Sequence, residues 1–433
     1  MGEGDTGVGR GKEEVRGSGE RVDRTFTLVL LPLVTVLAVP LVAVLVAPSS
    51  LPASGALGLA DGVLAGLGLL PAEHAVVLDA GSTGSRVLAY TFHRHLATGR
   101  LVLDAELWQE SQPGLSSYAG APADGAASLA GLLAAARTRV PAARHAATPV
   151  TLMATAGLRL LPAAQAEALL AAAAETLEGS GFLNRGVAMM RELDEGVFGW
   201  LTVNYLLEQL DTPRKSYVAL DLGGGSTQVT FAPKHAATFA SAPEGFLHPV
   251  RVGGEEVQLY SHSYLGLGLM SARQAIFALD EEEGAAVASS ACVLGEAVQF
   301  RGVEVRPAAM AGYEACMVEV ARFLDTLQVH QVEELPTRKI AAFSYFHDRA
   351  VDAGMLAAGE SGVVTVQQYL TAAEAACTAP AAGQPFLCTD LAFIAGLLHH
   401  GYRLQAQARL GLYKQIGGYQ TSWGLGAAFH LLE

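Results

Sequence analysis

Two short segments of the sequence place an aspartate ahead of small residues in a pattern that suits phosphate chemistry. Residues 79–86 read DAGSTGSR, and residues 221–228 read DLGGGSTQ. Glycine lets the backbone approach a ligand closely, and exposed N–H groups together with Ser and Thr hydroxyls can cradle phosphate oxygens. Because a carboxylate repels phosphate, we expect Asp79 and Asp221 to hold a hydrated Ca²⁺ or Mg²⁺ against it.

The elements that must position these two turns are strands. Residues 75–78 (AVVL) lead into the first turn and residues 217–220 (YVAL) into the second, so both segments read as strand, aspartate, turn and strand. Beyond His74, short apolar runs alternate with alanine-rich stretches such as 163–177, which is typical of α/β domains. The repeat predicts two related lobes that face each other across a cleft.

Composition restricts the class of protein further. With 433 residues, the chain is long enough for two domains and an appendage. The formal net charge of −14 argues against nonspecific nucleic-acid binding, which depends on Lys and Arg neutralising phosphates. The sequence lacks a GxxxxGK[ST] phosphate loop, and neither turn reads GxGxxG ahead of a helix, so P-loop and dinucleotide-binding folds are not expected.

The N-terminal region predicts a membrane anchor. Residues 26–47 are uncharged and rich in Leu and Val, and they could cross roughly 30 Å of hydrocarbon. Several basic residues precede this stretch, whereas residues 26–85 contain no Lys or Arg, which predicts a cytosolic tail (1–25), a transmembrane signal anchor (26–47) and a stalk (48–73) outside the cytosol. A cleaved signal peptide is the alternative, but its apolar core normally has only about 7–15 residues.

All four cysteines lie late in the chain, on the side predicted to face away from the cytosol. They are spaced as two successive pairs, which predicts two local disulfides. A zinc site is the alternative, although no Cys-x-x-Cys or nearby His spacing supports it, and four unrelated buried thiols are the third reading. The four residues are Cys292, Cys316, Cys377 and Cys388.

Five segments, in order, resemble the conserved regions of the apyrase, or nucleoside triphosphate diphosphohydrolase, family. They are 79–86, 153–161 (MATAGLRLL), 194–205 (DEGVFGWLTVNY), 221–228 and 263–268 (SYLGLG). The motifs FSYF at 343–346, FLC at 386–388 and WGLGA at 423–427 resemble the shorter, single-anchor branch of that family. The resemblance implies an α/β fold with two actin-like (ribonuclease H-like) lobes around a nucleotide cleft, and hydrolysis of nucleoside diphosphates such as GDP, UDP and IDP.

The resemblance also implies residue roles. Glu195 would be the base toward the attacking water and Ser226 would help to hold that water, as suits a reaction that needs an aligned nucleophile. Tyr345 or Phe346 would stack on the nucleobase. The cation, Ca²⁺ or Mg²⁺, would be held through its waters by Asp79, Asp221 and Gln228. Phosphate contacts would come from Ser82, Thr83, Gly84, Ser85, Arg86, Thr155, Ala156, Gly223, Gly224 and Gly225.

Simpler explanations exist for some of these residues. Asp194 and Glu195 could be solvated acids at the start of a helix, where they suit the helix dipole. Arg86 and Arg159 could be surface charges.

Three features depart from the family pattern. Glu192 stands where glycine is usual, and Gly225 stands where alanine is common, a change expected only to loosen the turn. The chain also has no Asn-x-Ser/Thr sequon, since its only asparagines are Asn184 and Asn204.

The sequence as a whole predicts a type II membrane enzyme of the Golgi or endoplasmic reticulum with a lumenal catalytic domain; the cell surface, or secretion after cleavage, is the alternative. Lobe I is expected to comprise 74–191 and about 415–433, and lobe II 192–414. The expected partners are a nucleotide substrate and the membrane, with no nucleic acid. Alternative functions are a broad-specificity apyrase that cleaves ATP and ADP, a sugar kinase-like enzyme, and an inactive nucleotide-binding protein.

Overall fold

A computed structural model describes residues 53–282 and 284–433, which form two compact units. The smaller unit comprises 53–70 and 95–99 and contains helix α1 (Ala53–Gly66) within the predicted stalk. Among the described residues, no helix has both the length and the hydropathy needed to cross a membrane. The predicted tail (1–25) and anchor (26–47) lie outside the described residues, so both stay predictions.

The larger unit, residues 71–94 and 100–433, begins with a five-stranded sheet. The strand order is β3-β2-β1-β4-β5, in which β1 is antiparallel to β2 and parallel to β4. Seven of the eight residues of β1 are buried, as a central strand covered on both faces requires. The strands are β1 (Glu73–Ala80), β2 (Ser85–Arg94), β3 (Leu101–Ser111), β4 (Pro149–Ala154) and β5 (Leu183–Met189).

Four helices accompany this first sheet. In α5 the buried residues Ala166, Leu169, Ala173 and Leu177 recur every three or four positions, so one face of the helix packs into the core formed with β1 and β4. The helices are α2 (Pro122–Ser128), α3 (Ala130–Arg139), α4 (Ala156–Arg159) and α5 (Ala163–Glu178).

A second, seven-stranded sheet repeats the topology of the first. Its order is β14-β15-β13-β6-β7-β9-β8, and the five central strands have the same relative directions as the first sheet. Here β6 takes the place of β1, β7 of β2, β9 of β3, β13 of β4 and β15 of β5. This duplication confirms the predicted pair of related α/β lobes. The strands are β6 (Val218–Leu222), β7 (Ser226–Phe231), β8 (Leu247–Val252), β9 (Glu255–Leu265), β13 (Ile340–Ser344), β14 (Gly362–Thr365) and β15 (Arg409–Leu412).

Two small sheets and eight further helices complete the unit. One small sheet has three strands in the order β10-β12-β11, namely β10 (Val287–Ser290), β11 (Val298–Phe300) and β12 (Val303–Pro307). The other pairs β16 (Gln415–Ile416) with β17 (Tyr419–Gln420). The helices are α6 (Glu192–Leu206), α7 (Ala236–Ser241), α8 (Leu269–Phe277), α9 (Tyr313–Thr326), α10 (Tyr345–Asp352), α11 (Val366–Ala376), α12 (Leu387–Gly396) and α13 (Gly424–Leu432).

The C-terminal helix α13 packs against the first sheet. The ring of Phe429 lies 5.5 Å from that of Phe92 on β2 and 4.7 Å from that of Tyr205 on α6. Trp423 and Leu425 are buried in the same cluster. The end of the chain therefore contributes to the core beneath β1 and β2.

Two disulfides join the four cysteines, Cys292 to Cys316 and Cys377 to Cys388. This pairing confirms the predicted local disulfides. The Sγ atoms of Cys316, Cys377 and Cys388 lie within 4.8 Å of one another, but disulfide sulfurs are not the thiolates that zinc requires. The zinc alternative and the alternative of four free thiols are both wrong.

Candidate active site

The two Asp-led segments form matching hairpins at the same position of the two sheets. Asp79 pairs with Arg86 across β1 and β2, and Asp221 pairs with Gln228 across β6 and β7. In the first turn the Gly81 N–H donates to the Gly84 carbonyl at 3.0 Å, and the equivalent bond in the second turn, from Gly223 to Ser226, is also 3.0 Å long. The sequence repeat is therefore a structural repeat.

The two turns meet each other and the start of α4. A side chain on Gly224 would collide with the Ser82 hydroxyl, and a Cβ on Gly157 would lie 2.6 Å from the Ser82 Cα. A Cβ on Gly225 would come within 2.7 Å of the Ala156 Cβ. Gly225 is therefore required by close packing, and the expectation that it only loosens the turn is wrong.

The remaining residues predicted to contact phosphate lie on the same loops. The Thr155 N–H donates to the Ala80 carbonyl at 3.2 Å, which ties the loop after β4 to the end of β1. The Arg86 guanidinium lies over the first turn, 2.8 Å from the place that a Gly81 Cβ would take. The structure thus brings all of the predicted phosphate-binding residues onto three adjoining segments, 82–86, 155–156 and 223–225.

The three residues predicted to hold a cation each keep one buried oxygen without a hydrogen-bond partner. These atoms are Asp79 Oδ1, Asp221 Oδ1 and Gln228 Oε1. A buried acceptor left without a partner costs free energy, so such atoms call for a ligand. Carboxylate and amide oxygens are the donors that Ca²⁺ and Mg²⁺ prefer, so the residues present fit a hard divalent cation.

Electrostatics favour the same conclusion. Burial raises the pKa of Asp221 to about 6 and raises the pKa of Asp79, and the Asp79 carboxylate adds to the effect on Asp221. The Arg86 guanidinium opposes both increases, since it lies 3.3 Å from Asp79 Oδ2. Two neighbouring buried carboxyl groups, both with a raised pKa, gain from a bound divalent cation.

Glu195 lies in the first turn of α6 and is buried, with 7% of its surface exposed. Burial is the largest cause that raises the pKa of Glu195 to about 7, and the Asp221 and Asp79 carboxylates contribute. The Arg159 guanidinium, 2.8 Å from Glu195 Oε2, acts in the opposite direction. A carboxyl group with a pKa near neutrality is well matched to general base chemistry.

The neighbouring acid has a different environment. Asp194 forms a surface ion pair with Arg191 at 2.7 Å. Asp194 is therefore a solvated acid at the start of the helix, whereas the buried Glu195 is not. Arg159 is also no surface charge, because only 9% of its side chain is exposed and it donates to the Met190 carbonyl as well as to Glu195.

Ser226 and Gln228 are coupled on β7. The Gln228 Nε2 donates to the hydroxyl oxygens of Ser226 and Ser263, each at 2.8 Å. Both amide hydrogens are therefore used, which fixes the amide orientation and directs Oε1 away from these bonds. The Ser226 hydroxyl accepts from Gln228 and keeps its own hydrogen to donate to a water or a phosphate oxygen.

The two candidates for nucleobase stacking are separated by burial. Phe346 is fully buried in the core of the second lobe, and its carbonyl accepts a hydrogen bond from the Tyr369 hydroxyl. No ring face is left for a base, so the prediction for Phe346 is wrong. Tyr345 is partly exposed, and its hydroxyl is close enough to Arg86 to influence the pKa of that guanidinium.

Three residues near the site were not assigned a role by the sequence reasoning. Arg159 pairs with Glu195, Glu110 on β3 binds Arg86 at 2.7 Å, and Ser344 ends β13 beside the strand of Asp221, opposite Leu222. Arg159 and Ser344 lie within quoted motifs and could have been suspected. Glu110 carries no such signal, because only the pairing of β2 with β3 brings it beside Arg86.

Comparison with known proteins agrees with this geometry. The GDA1/CD39 (nucleoside phosphatase) family profile matches residues 71–344. The human nucleoside diphosphate phosphatase ENTPD5 is 38% identical over 375 residues, covering 83% of this chain and 87% of that relative. The Caenorhabditis elegans nucleoside-diphosphatase uda-1 is 36% identical over 388 residues, covering 82% and 81%.

Solved structures share the fold. Nucleoside triphosphate hydrolase from Neospora caninum superposes with a TM-score of 0.59 at 13% identity, over 83% of this chain and 92% of that one. At this identity the likeness concerns the fold, and the family follows from the profile and the sequence relatives. The chain belongs to the GDA1/CD39 (nucleoside phosphatase) family and is a hydrolase of phosphoric anhydrides.

Proposed function

We propose that this enzyme removes the terminal phosphate of nucleoside diphosphates such as GDP, UDP and IDP, with a divalent cation, by in-line attack of water. The observation that carries the proposal is the buried Glu195 carboxyl group beside two carboxylates and an amide whose oxygens lack partners. The names of the human and nematode relatives, both diphosphatases, support the choice of diphosphate.

Each residue has a task in this reaction. Glu195 accepts a proton from the attacking water, and the Ser226 hydroxyl holds that water in line. Backbone N–H groups of the two turns and the Arg86 guanidinium bind the phosphate oxygens where charge develops. Asp79, Asp221 and Gln228 would hold Ca²⁺ or Mg²⁺, and the cation would supply positive charge to the phosphate oxygens when bound.

The first test is phosphate release by the purified full-length protein with GDP, UDP, ADP, ATP and GTP in Ca²⁺, Mg²⁺ or EDTA. Removal of a general base should lower kcat by about 10²–10⁴-fold, so Glu195→Gln is expected to lose nearly all activity. The matched control is Asp194→Asn, because its surface pair contributes little and its activity should stay close to that of the wild type.

The pattern of substrates separates the alternatives. Release from GDP and UDP in preference to ATP supports the diphosphatase, whereas equal rates with ATP and ADP support a broad-specificity apyrase. ATP consumption only with an added sugar would indicate a kinase. Nucleotide binding without release from any substrate would refute the enzyme and indicate a binding protein.

We also propose that the protein is a type II membrane protein with its catalytic lobes in the lumen of the Golgi or endoplasmic reticulum. The two disulfides support an oxidising compartment. Because the chain has no natural sequon, Gly359→Asn would create a single acceptor, Asn-Glu-Ser, in an exposed segment where the φ of +78° tolerates asparagine.

We expect the Gly359→Asn variant to carry a glycan, which would increase its mass by an amount that treatment with a glycosidase removes. The matched control is Gly4→Asn, which creates Asn-Asp-Thr in the predicted cytosolic tail and should stay unmodified. A glycan on the tail variant alone would reverse the topology, and a glycan on neither would refute a lumenal domain.

A further inference from the structure

Glu110 lies on strand β3 beside the first phosphate turn. Arg86 on β2 is the direct cross-strand neighbour of Asp79 on β1 and of Glu110 on β3. Side chains of directly opposed residues share one face of a sheet, so the three charges form a row at the end of the sheet that carries the turn. The Arg86 guanidinium is therefore flanked by two carboxylates.

The two contacts of the guanidinium differ in length. Arg86 Nη2 donates to Glu110 Oε1 at 2.7 Å, whereas Arg86 Nη1 lies 3.3 Å from Asp79 Oδ2. Hydrogen bonds between a guanidinium and a carboxylate are usually about 2.7–2.9 Å long, so the bond to Glu110 is strong and the bond to Asp79 is weak. Of the two carboxylates, Glu110 holds the guanidinium more firmly.

The Glu110 carboxylate also contacts the phosphate turn itself. A Cβ on Gly84 would collide with Glu110 Oε1 and would lie 3.2 Å from Glu110 Cδ. Only 24% of the Glu110 side chain is exposed to water that could screen its charge. A negative charge in this place repels the phosphate oxygens that the turn is expected to bind, so it weakens substrate binding unless it has a task of its own.

Asp79 is poorly suited to hold Arg86 when the site is in use. Its Oδ1 has no hydrogen-bond partner, and its carboxylate is one of the groups that fit a divalent cation. A cation that neutralises this carboxylate would weaken its attraction for the guanidinium. Glu110 pairs with Arg86 from the other neighbouring strand and would keep its hold.

We propose that Glu110 is a positioning residue whose carboxylate holds the Arg86 guanidinium over the first turn and keeps it from turning onto Asp79. The inference rests on the proposed function, in which Arg86 binds a phosphate oxygen. Arg86 Nη1 lies 2.8 Å from the place that a Gly81 Cβ would take, so the guanidinium held by Glu110 covers the turn. A group held in place before the substrate arrives loses less freedom when the substrate binds.

The test compares Glu110→Ala and Glu110→Gln in the full-length protein, with Glu73→Ala as control. Glu73 pairs with Arg94 at 2.6 Å on the same sheet, at the opposite end of β1 from Asp79. Three quantities are measured in Ca²⁺: kcat and KM for GDP, the Kd of the non-hydrolysable α,β-methylene analogue of GDP, and the unfolding midpoint. The Kd reports on the phosphate site independently of the chemical step.

We expect Glu110→Ala to raise both the Kd and KM by about 10-fold, because a hydrogen bond between charged groups is lost. Glu110→Gln should lie between Glu110→Ala and the wild type, because it keeps a neutral acceptor. A carboxylate that merely stood near the site would have an effect of the opposite sign, since its removal would reduce repulsion and lower the Kd. Glu73→Ala should leave the Kd and KM unchanged, because its pair lies on the surface.

A double-mutant cycle with Arg86→Met tests whether Glu110 acts through the guanidinium. If it does, Glu110→Ala added to Arg86→Met should leave the Kd unchanged or lower it. The inference is overturned by a Kd that is unchanged or lower in Glu110→Ala alone, by a Kd that rises further in the Arg86→Met background, or by a loss of affinity that only follows the unfolding midpoint. Wild-type protein that binds the analogue but releases no phosphate from GDP would instead overturn the proposed function, and the comparison of Kd values would still decide the inference.

Discussion

The ion pair between Arg159 and Glu195 leads to a quantitative prediction about pH. Glu195 can accept a proton from water only when it is ionised, and burial with neighbouring carboxylates raises its pKa to about 7. The Arg159 guanidinium, 2.8 Å away, favours the ionised form. Arg159→Gln removes that charge while it keeps a side chain of similar reach.

The size of the effect follows from the contact. An opposite charge within about 4–6 Å lowers the pKa of a carboxyl group by about one to three pH units, so its removal should raise the pKa of Glu195 by that amount. At pH 7 the ionised fraction would fall from about one half to between about one tenth and one thousandth. kcat/KM at pH 7 should therefore decrease by about 5–500-fold and recover as the pH is raised.

The assay is the pH profile of kcat/KM for GDP hydrolysis at one saturating Ca²⁺ concentration. A cation bound at Asp79 and Asp221 would offset the contribution of those carboxylates, so the acidic limb of both proteins should lie lower with Ca²⁺ than the cation-free pKa indicates. The difference between the two proteins still reports the guanidinium. The matched control is Arg191→Gln, which breaks the surface pair with Asp194 on the same helix.

A profile for Arg159→Gln that loses activity equally at every pH would refute a role of the guanidinium in the ionisation of Glu195. In that case Arg159 would bind substrate or support the fold, and the pair with Glu195 would not set the protonation of the base. A shifted limb in the Arg191→Gln control would also contradict it, because that guanidinium is 77% exposed.

Three further predictions concern the fold around the site. Burial raises the pKa of Asp221 from 3.8 to about 6, so the folded state disfavours its ionised form. In urea unfolding at pH 7, Asp221→Asn should therefore increase the free energy of unfolding of the EDTA-treated protein by about 3 kcal/mol. This gain should vanish as the pH falls from about 6 to about 4. Replacement of both Cys292 and Cys316 by alanine should cost about 3 kcal/mol, because this disulfide closes a separation of 24 residues, and should lower the thermal midpoint. Gly225→Ala should lower kcat and cost about 1–3 kcal/mol of stability, because its Cβ would lie 2.7 Å from the Ala156 Cβ. If this contact is the cause, Ala156→Gly in the same chain should restore both kcat and stability.

Much of the architecture was predictable because the two lobes repeat a local pattern. A buried strand, an aspartate, a glycine-rich turn and a second strand are all set by neighbouring residues, and their second occurrence indicated the duplication. The added edge strands β8 and β14 and the small sheets were not predictable in this way. Their pairing depends on contacts between residues distant in sequence, which leave no local period.

The same division holds at the site. The residues of the two turns were predicted to lie together, because phosphate and cation binding require those residue types close together, and the structure brings the two turns into contact. Glu110 was missed because it reaches Arg86 only through strand pairing. Phe346 was misjudged because sequence shows that two aromatic residues adjoin at the start of α10 and does not show which of them faces the core.

The charges of the site explain why a divalent cation suits this protein. Ion pairs, or the influence of one carboxylate on the pKa of another, link Asp79, Glu110, Glu195 and Asp221. Among the described residues, the cations paired with these acids are the two guanidinium groups of Arg86 and Arg159. When all are ionised, two negative charges remain in excess, and burial raises the pKa of three of the acids rather than letting water screen them. One divalent cation would balance that excess and at the same time lower the pKa of the base. The excess negative charge would therefore both destabilise the cation-free protein and raise the pKa of the base. Ca²⁺ should raise the thermal midpoint of the wild type and leave that of Asp221→Asn nearly unchanged.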